Sequence, residues 1–457
     1  MSESDAKYIT QALIDAVRGL NYDSISGDAL EVARHCLLDY LGVALAGSSE
    51  PLVQMLVKVV ALGDGPDGAG LIGRPERMSE LNAALVNGAA AHALDYDDTH
   101  TTLMGHPTAP VMPAVLALCE TNGANGKRLL ESFVAGVELE CRLGALLGSG
   151  HYDAGFHSTG TLGTFGAAGA CAHLLGLGED QWRMAMGLAG TQAAGLKASF
   201  GTMAKPLHAG KAASSGMLSA LLAKEGFSGA TGILETPQGF AVTHFGAELS
   251  ANRLDRYVGK FLICDTLFKY HASCYLTHAP MDAARAIADE FGVQPESIDS
   301  VEVYVSPKLL SVCNIERPET GLEAKFSLRT TTALALLGYP TDRIDTFEDT
   351  VIREERLVSL RDRVRVIPTE GMESTQAKVI VESKGRTFER ETDSGIPSRD
   401  LRAQGRLLSA KFMSLAAPVI GSSSAEALAD RVLRIDEAES LDEIFGLLRN
   451  ESEMARQ

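Results

Sequence analysis

Glycine and alanine crowd residues 135–220 of this chain, in runs such as GTLGTFGAAGACA, and the apolar positions there recur at helical spacing. Helices built from such small residues bring backbones close to one another or close to a ligand. The same region has a second property. No carboxylate occurs between Gln181 and Lys224, although the 457 residues include 59 Asp+Glu and carry a formal net charge of −18. At that average about six acids would fall in the window, against a background typical of soluble chains. Arg183, Lys197, Lys205, His208, Lys211 and Lys224 stand there instead, and the acid-free residues 154–178 add His157 and His173. Burial alone would exclude acids, but it would exclude lysines too. The stretch therefore reads as an anion site. The acidic remainder disfavours nucleic acid and anionic membranes as partners, which leaves a small anionic molecule.

The first 260 residues read as successive helices, over 6–20, 29–46, 79–94, 110–120, 127–147, 158–175, 180–194 and 206–225, separated by turn sequences such as ETNGANGK and LGLGED. After Asp265 the period changes to two in SVEVYVSP, RVRVIPTE and AKVIVESKGRTFERETD, the last holding a hairpin turned at Lys384-Gly385. Helices over 279–291 and 323–337 sit between these strands, and helical spacing returns from Asp400. The expected fold is mostly α: a large all-helical domain formed from both chain ends (1–265 and 403–457) with a smaller inserted α+β lid domain (266–402). Two domains also suit the length. No apolar run reaches the length of a membrane span. The start, MSESDAKYITQ, has acids where a targeting segment would be basic, so a cytoplasmic location is expected. Seven scattered cysteines without a CxxC disfavour a disulfide framework, a structural zinc site and an iron–sulfur cluster.

Four constellations carry chemistry. The loop HALDYDDTHTTLMGHP packs His92, Asp95, Asp97, Asp98, Thr99, His100 and His106 together. These are good metal ligands, but their spacing matches no HExxH or EF-hand pattern, so the favoured reading is a polar loop that turns at Gly105 and Pro107 and presents side chains to a cleft. A metal-dependent hydrolase using the His92–His106 cluster stays open as an alternative. In GFHSTGTLG, His157 precedes a helix start, where N–H groups and the helix dipole favour anions. In KPLHAGKAA, Pro206 suits a first helical turn, placing Lys205 at the helix mouth with His208 and Lys211 on one face. FKYHASCYLTH contributes Lys269, His271, Cys274 and His278 at the change of domain, a common place for a ligand. No GxGxxG after a strand, GxxxxGK[ST] or GxSxG occurs. Several cations and neutral bases without a cofactor motif suit removal of a proton beside a carboxylate. The carbanion's extra charge needs fixed cations in a dry site, and histidines or lysines tuned near neutrality move the protons.

HALDYDDT…GHP, GFHSTGTLGTFGAA, GTMAKPLHAGKAA, KYHASCYLTH and AKFSL occur in this order, and in this the chain resembles the MmgE/PrpD family, which includes 2-methylcitrate dehydratase, cis-aconitate decarboxylase and iminodisuccinate epimerase. The resemblance runs nearly the full length. It implies a helical domain with an α+β lid, a cofactor-free site between them, a homodimer and a small carboxylic acid as substrate. Motif by motif it implies Asp95, Thr99, His106, His157, Lys205 and Lys269 for the site, with His106 and His157 moving protons, Lys205 and Lys269 on substrate carboxylates, and no metal. With the residues read directly from the motifs, the catalytic candidates are His106, His157, Lys205 and His278, and the substrate-binding ones Asp95, Thr99, His208, Lys269 and Cys274. Decarboxylase-like members place a histidine where Cys274 stands and a tyrosine after the FS of the lid helix, where this chain reads FSLRTT. The tryptophan-containing loop of the 2-methylcitrate dehydratases is also missing. A dehydratase of 2-methylcitrate type or an epimerase of iminodisuccinate type is therefore expected, with a cis-aconitate-type decarboxylase as an alternative.

Overall fold

The computed structural model describes residues 9–449 apart from 64, 66, 67, 246–248 and 250. The first three residues of the helix expected over 6–20 lie outside them. The N-terminal part is a run of helices: α1 (Ile9–Arg18), α2 (Gly27–Gly47), α3 (Pro51–Val60), α4 (Glu80–His92), α5 (Thr108–Asn122), α6 (Gly126–Leu147), the short α7 (Gly150–Asp153), α8 (Ser158–Leu174), α9 (Glu179–Gly190), α10 (Ala204–Lys224) and α11 (Phe240–Phe245). A two-stranded ladder, β1 (Ala69–Gly70) and β2 (Arg77–Met78), interrupts them. Caps mark the boundaries. The Ser26 side chain accepts from the Ala29 N–H at the start of α2, Asn125 does the same for Arg128 at the start of α6, and Gly123 closes α5 in the left-handed region.

The small residues do what their spacing demands. α8 packs against α5, α6 and α10, and α10 also packs against α4. A Cβ added at Gly210 would lie 2.0 Å from the Leu85 carbonyl oxygen, and one at Gly136 would lie 2.7 Å from that of Gly166. These helices approach backbone to backbone, so the floor they form is rigid.

A mixed four-stranded sheet follows, in the order β4-β3-β5-β6, from β3 (Ile298–Val305), β4 (Val364–Pro368), β5 (Gln376–Ser383) and β6 (Arg386–Asp393). β3 pairs parallel with β4 and antiparallel with β5. The β5–β6 hairpin turns at Lys384-Gly385, whose φ values of 50° and 72° match a two-residue turn with both residues left-handed. α12 (His278–Phe291) covers β5 and β6. The helix expected over 323–337 is two pieces, α13 (Gly321–Ala324) and α14 (Leu328–Leu336). Ser327 breaks it by accepting from the Thr330 N–H, which starts a second helix. Two short helices, α15 (Asp349–Ile352) and α16 (Glu355–Arg361), complete this unit.

The last segment is helical again: α17 (Leu401–Ile420), α18 (Ser422–Leu433) and α19 (Asp442–Leu447). α17 and α18 pack on α2, so the two chain ends share one core. The molecule is thus mostly α with one small sheet. Among the described residues no single helix is long and apolar enough to cross a membrane.

Candidate active site

α4 ends at His92, and the chain from there to Pro107 runs as an ordered loop rather than a solvated turn. Thr99 exchanges backbone hydrogen bonds with Leu267, N–H to carbonyl in both directions at 2.8 Å. That bridge lays the 95–106 loop against the segment carrying Lys269. At the far end the His106 N–H donates to Thr159 Oγ1 at 3.0 Å, which ties the loop to the first turn of α8. A Cβ at Gly105 would meet the Thr159 nitrogen at 3.0 Å, so the close approach suits glycine.

The loop delivers Asp95 to two lysines. Lys205, in the first turn of α10, donates to Asp95 Oδ1 at 2.5 Å. Lys269 Nζ stands 3.1 Å from the same oxygen and donates to the Asp95 carbonyl at 2.6 Å. All three residues are buried, and Lys269 wholly so. Burial disfavours the Asp95 charge, but Lys205 and Lys269 outweigh it and hold the carboxyl well below its usual range. Lys205 also lies over the rings of Phe200 and Phe326, each 5.2 Å away, an apolar collar that excludes water from the ammonium.

Three histidines gather beside this group, with ring centroids 4.5 Å apart for His92 and His106, 5.8 Å for His92 and His157, and 6.5 Å for His106 and His157. His106 Nδ1 faces two acceptors, the Asp98 carbonyl at 2.7 Å and Asp97 Oδ2 at 3.3 Å. Nδ1 therefore carries the proton, and Nε2, 3.8 Å from Asp95 Oδ1, presents a lone pair. His157 Nδ1 pairs with His208 Nδ1 at 3.0 Å, while its Nε2 has no hydrogen-bond partner among the described residues. Burial first, and neighbouring cations second, push His157 well below the usual histidine range. Burial also lowers His106 well below it, against the pull of Asp97. Both rings are neutral bases at neutral pH. An activity that depends on them keeps its kcat/KM as pH falls through the ordinary histidine value of about 6.5 and loses it only at a more acid limb. A pH profile measured down to about 4.5 checks this, and a limb centred at or above 6.5 would contradict the neutral pair.

These groups line a cavity of about 210 Å³ whose wall includes Asp95, Thr99, His106, His157, Lys205, Lys269 and Cys274. Seven of the nine residues singled out from sequence thus share one cavity. His208 stands behind His157 and reaches the cavity only through it. His278 is not on the wall. It begins α12, and that turn carries its ring into the core, 4.9 Å from His271 and 4.8 Å from Tyr275. The sheet-bearing unit supplies Lys308, Ser311, Val312 and Thr375 to the wall, and the helical part supplies Tyr152, Lys197 and Phe200, so the cavity opens between the two. Of the cations in the acid-free window, Lys197 and Lys205 reach it. Lys211 and Lys224 are exposed, and Arg183 pairs with Glu179 and Asp180 at the surface.

His92, Asp95, Asp97 and His106 bring potential metal-ligating atoms within 4.8 Å of one another. The group is already balanced internally. Asp97 takes His92 Nδ1 at 2.9 Å, and the two ammoniums occupy Asp95 Oδ1. A divalent cation there would face Lys205 and Lys269 at close range, a repulsion strong in a buried site. His92 and Asp97 belong to the supporting frame of His106, a role their sequence spacing does not announce.

The comparisons with known proteins follow this geometry. Residues 11–251 match the model of the MmgE/PrpD N-terminal domain, and residues 271–437 match that of the MmgE/PrpD C-terminal domain. The cis-aconitate decarboxylase of Aspergillus terreus is 27% identical over 98% of this chain and 97% of its own length. The cis-aconitate decarboxylase of Homo sapiens is 25% identical over 98% of this chain and 95% of its own length. The 2-methylcitrate dehydratase of Salmonella typhimurium is 24% identical over 76% of this chain and 74% of its own. Matched in both its helical and its sheet-bearing parts, the chain belongs to the MmgE/PrpD family.

Proposed function

We propose that the protein is a lyase or isomerase that removes a proton alpha to a carboxylate of a small di- or tricarboxylic acid, without a metal or an organic cofactor. The observation that carries this reading is the pairing of His106 Nε2, an unprotonated and desolvated base, with two buried ammoniums on the same cavity wall. Proton loss beside a carboxylate places a second negative charge on it, and Lys205 and Lys269 are fixed cations near where that charge develops. Asp95 holds both lysines in place. In an elimination, His106 takes the alpha proton first, and the carbon–oxygen bond then breaks from the carboxylate-stabilised carbanion. The hydroxyl leaves with the Nε2 proton of His157, whose Nδ1 accepts from the His208 N–H, and the proton gained by His106 then passes to His157, so that both rings end neutral. In an epimerisation, the proton is taken on one face by one of His106 and His157 and delivered on the other face by its partner.

Loss of water or proton return fits better than loss of CO₂, because a thiol, Cys274, stands on the wall where the family's decarboxylases have a histidine. The full-length relatives named above are decarboxylases all the same, so cis-aconitate belongs in the test. The experiment is proton NMR in D₂O with the protein and, separately, 2-methylcitrate, citrate, cis-aconitate and iminodisuccinate. We expect loss of an alpha-proton signal on one of the first two or on iminodisuccinate, with a new vinyl signal from citrate or a methyl singlet on a double bond from 2-methylcitrate for a dehydratase, and neither for an epimerase. Conversion of cis-aconitate to a methylene acid with CO₂ would replace this reading with decarboxylation. Proton exchange on none of the four would overturn the substrate class. The ligand spacing of His92, Asp95, Asp97 and His106 is what favours a second reading, a metal-dependent hydrolase. Activity that survives chelation, in protein without stoichiometric zinc, iron or manganese, removes it.

A further inference from the structure

Asp95 is one of four described non-glycine residues in the left-handed region, with φ of 50°. Aspartate enters this region more readily than most L-residues, but the conformation is still uncommon and has a cost that the surroundings must offset. The surroundings here are three ammonium groups on three consecutive carbonyls. Lys325 Nζ donates to the Leu94 carbonyl at 2.6 Å, Lys269 to that of Asp95 at 2.6 Å, and Lys411 to that of Tyr96 at 2.7 Å. The donors come from three places: the break between α13 and α14, the segment joining the two parts of the molecule, and α17. Lys411 also donates to the Lys269 carbonyl at 3.0 Å, so the C-terminal helix braces one of the lysines on Asp95 as well.

Neither Lys325 nor Lys411 lines the cavity. Lys411 has a buried carboxylate partner, Asp39, at 2.6 Å. Lys325 makes no ion pair among the described residues, although its residue is only 5% exposed. A buried ammonium whose one hydrogen bond goes to a carbonyl is costly, and an apolar side chain of the same length would fold more cheaply. Burial pushes its pKa down to about 8. The cost makes sense if what matters is the carbonyl that Lys325 holds.

Building on the proton-abstraction reading, we propose that Lys325 and Lys411 are positioning residues that clamp the Leu94–Asp95–Tyr96 backbone in its left-handed turn, and through it the carboxylate that aligns Lys205 and Lys269. Lys325 makes the clamp depend on the sheet-bearing unit, so the helical half of the site is set only when that unit is docked.

The test uses the full chain carrying Lys325→Met, an apolar replacement of similar length, beside Lys325→Gln, which keeps a shorter donor should the first variant fold poorly. Amide hydrogen exchange is read across 92–106, where the Thr99 N–H is bonded to Leu267. Steady-state kinetics follow on whichever acid the wild type deprotonates. The expected result is protection of the 94–99 amides lowered at least about tenfold, with α8 and α10 keeping theirs, as local rather than global opening requires. In kinetics, kcat falls at least about tenfold with KM within about threefold, the mark of a group that orients the reacting centre. Unchanged protection at 94–99, or a loss shared evenly by the whole core, overturns the clamp. Hydrogen exchange needs no substrate, so it decides the clamp even if all four acids prove inert, an outcome that would count only against the proton-abstraction reading.

Discussion

His106→Asn is expected to lower turnover by about 10²–10⁴, the usual worth of a positioned proton-transfer group, while leaving the melting temperature within a few degrees of wild type. Asparagine keeps an N–H donor near the place of Nδ1, so the bond to the Asp98 carbonyl survives in kind. What it lacks is a lone pair at the position of Nε2. The loss should therefore appear in kcat and in solvent deuterium uptake by the substrate, with little change in KM, because the lysines that hold the acid are untouched. The comparison with His157→Asn is informative. In an elimination the His157 variant should still wash out the alpha proton while failing to release water. In an epimerisation it should exchange from one enantiomer and not the other. Turnover by His106→Asn within about threefold of wild type would remove His106 from the mechanism.

The site was legible in sequence to the extent that its chemistry is concentrated. Fifteen residues from His92 to His106 supply Asp95, Thr99 and His106 to the wall, and the density of polar groups there pointed to a cleft-facing loop. The hairpin at Lys384-Gly385 was legible because two left-handed residues in a row leave few alternatives. α3 escapes a reading by period because only Gln54 and Lys58 interrupt the apolar run PLVQMLVKVV, which is too short to tell a helix from a buried strand. The clamp on Asp95 was invisible for a different reason. Lys325 and Lys411 lie 231 and 315 residues from the carbonyls they hold, and neither was singled out as a site residue from sequence. Nothing local distinguishes a buried lysine from an exposed one; only the fold brings three of them to one turn. His278 shows the converse. Its motif placed it beside Lys269 in sequence, and the start of α12 turned it away from the cavity. Proximity along a chain says little about the direction of a side chain once a helix begins between the two.

Lys269→Met should be the most damaging single change, because it acts on fold and chemistry together. The ammonium is wholly buried and contacts both the carboxylate and the carbonyl of Asp95, so its removal leaves a buried acid with one cation instead of two. Breaking a buried pair from one side costs about 3–5 kcal/mol, a large part of a typical folding free energy. Losing one fixed donor from a developing carboxylate charge costs about 10²–10³ in turnover. The two effects can be separated by assaying turnover well below the urea midpoint of the variant. Adding Asp95→Asn to Lys269→Met takes from buried Lys205 its one carboxylate partner, so the double variant should be no more stable than Lys269→Met in a urea titration and should turn over no faster. Lys205→Ala makes the complementary case. Lys205 makes one hydrogen bond, to Asp95, and its side chain faces the aromatic collar at the cavity. Its loss should cut turnover at least about tenfold without unfolding the protein. Near-normal turnover in Lys205→Ala would show that the acid is held elsewhere. A double variant that regained activity along with stability would mean that Lys269 serves the fold alone, leaving the charge of the reaction to be stabilised by other groups on the cavity wall.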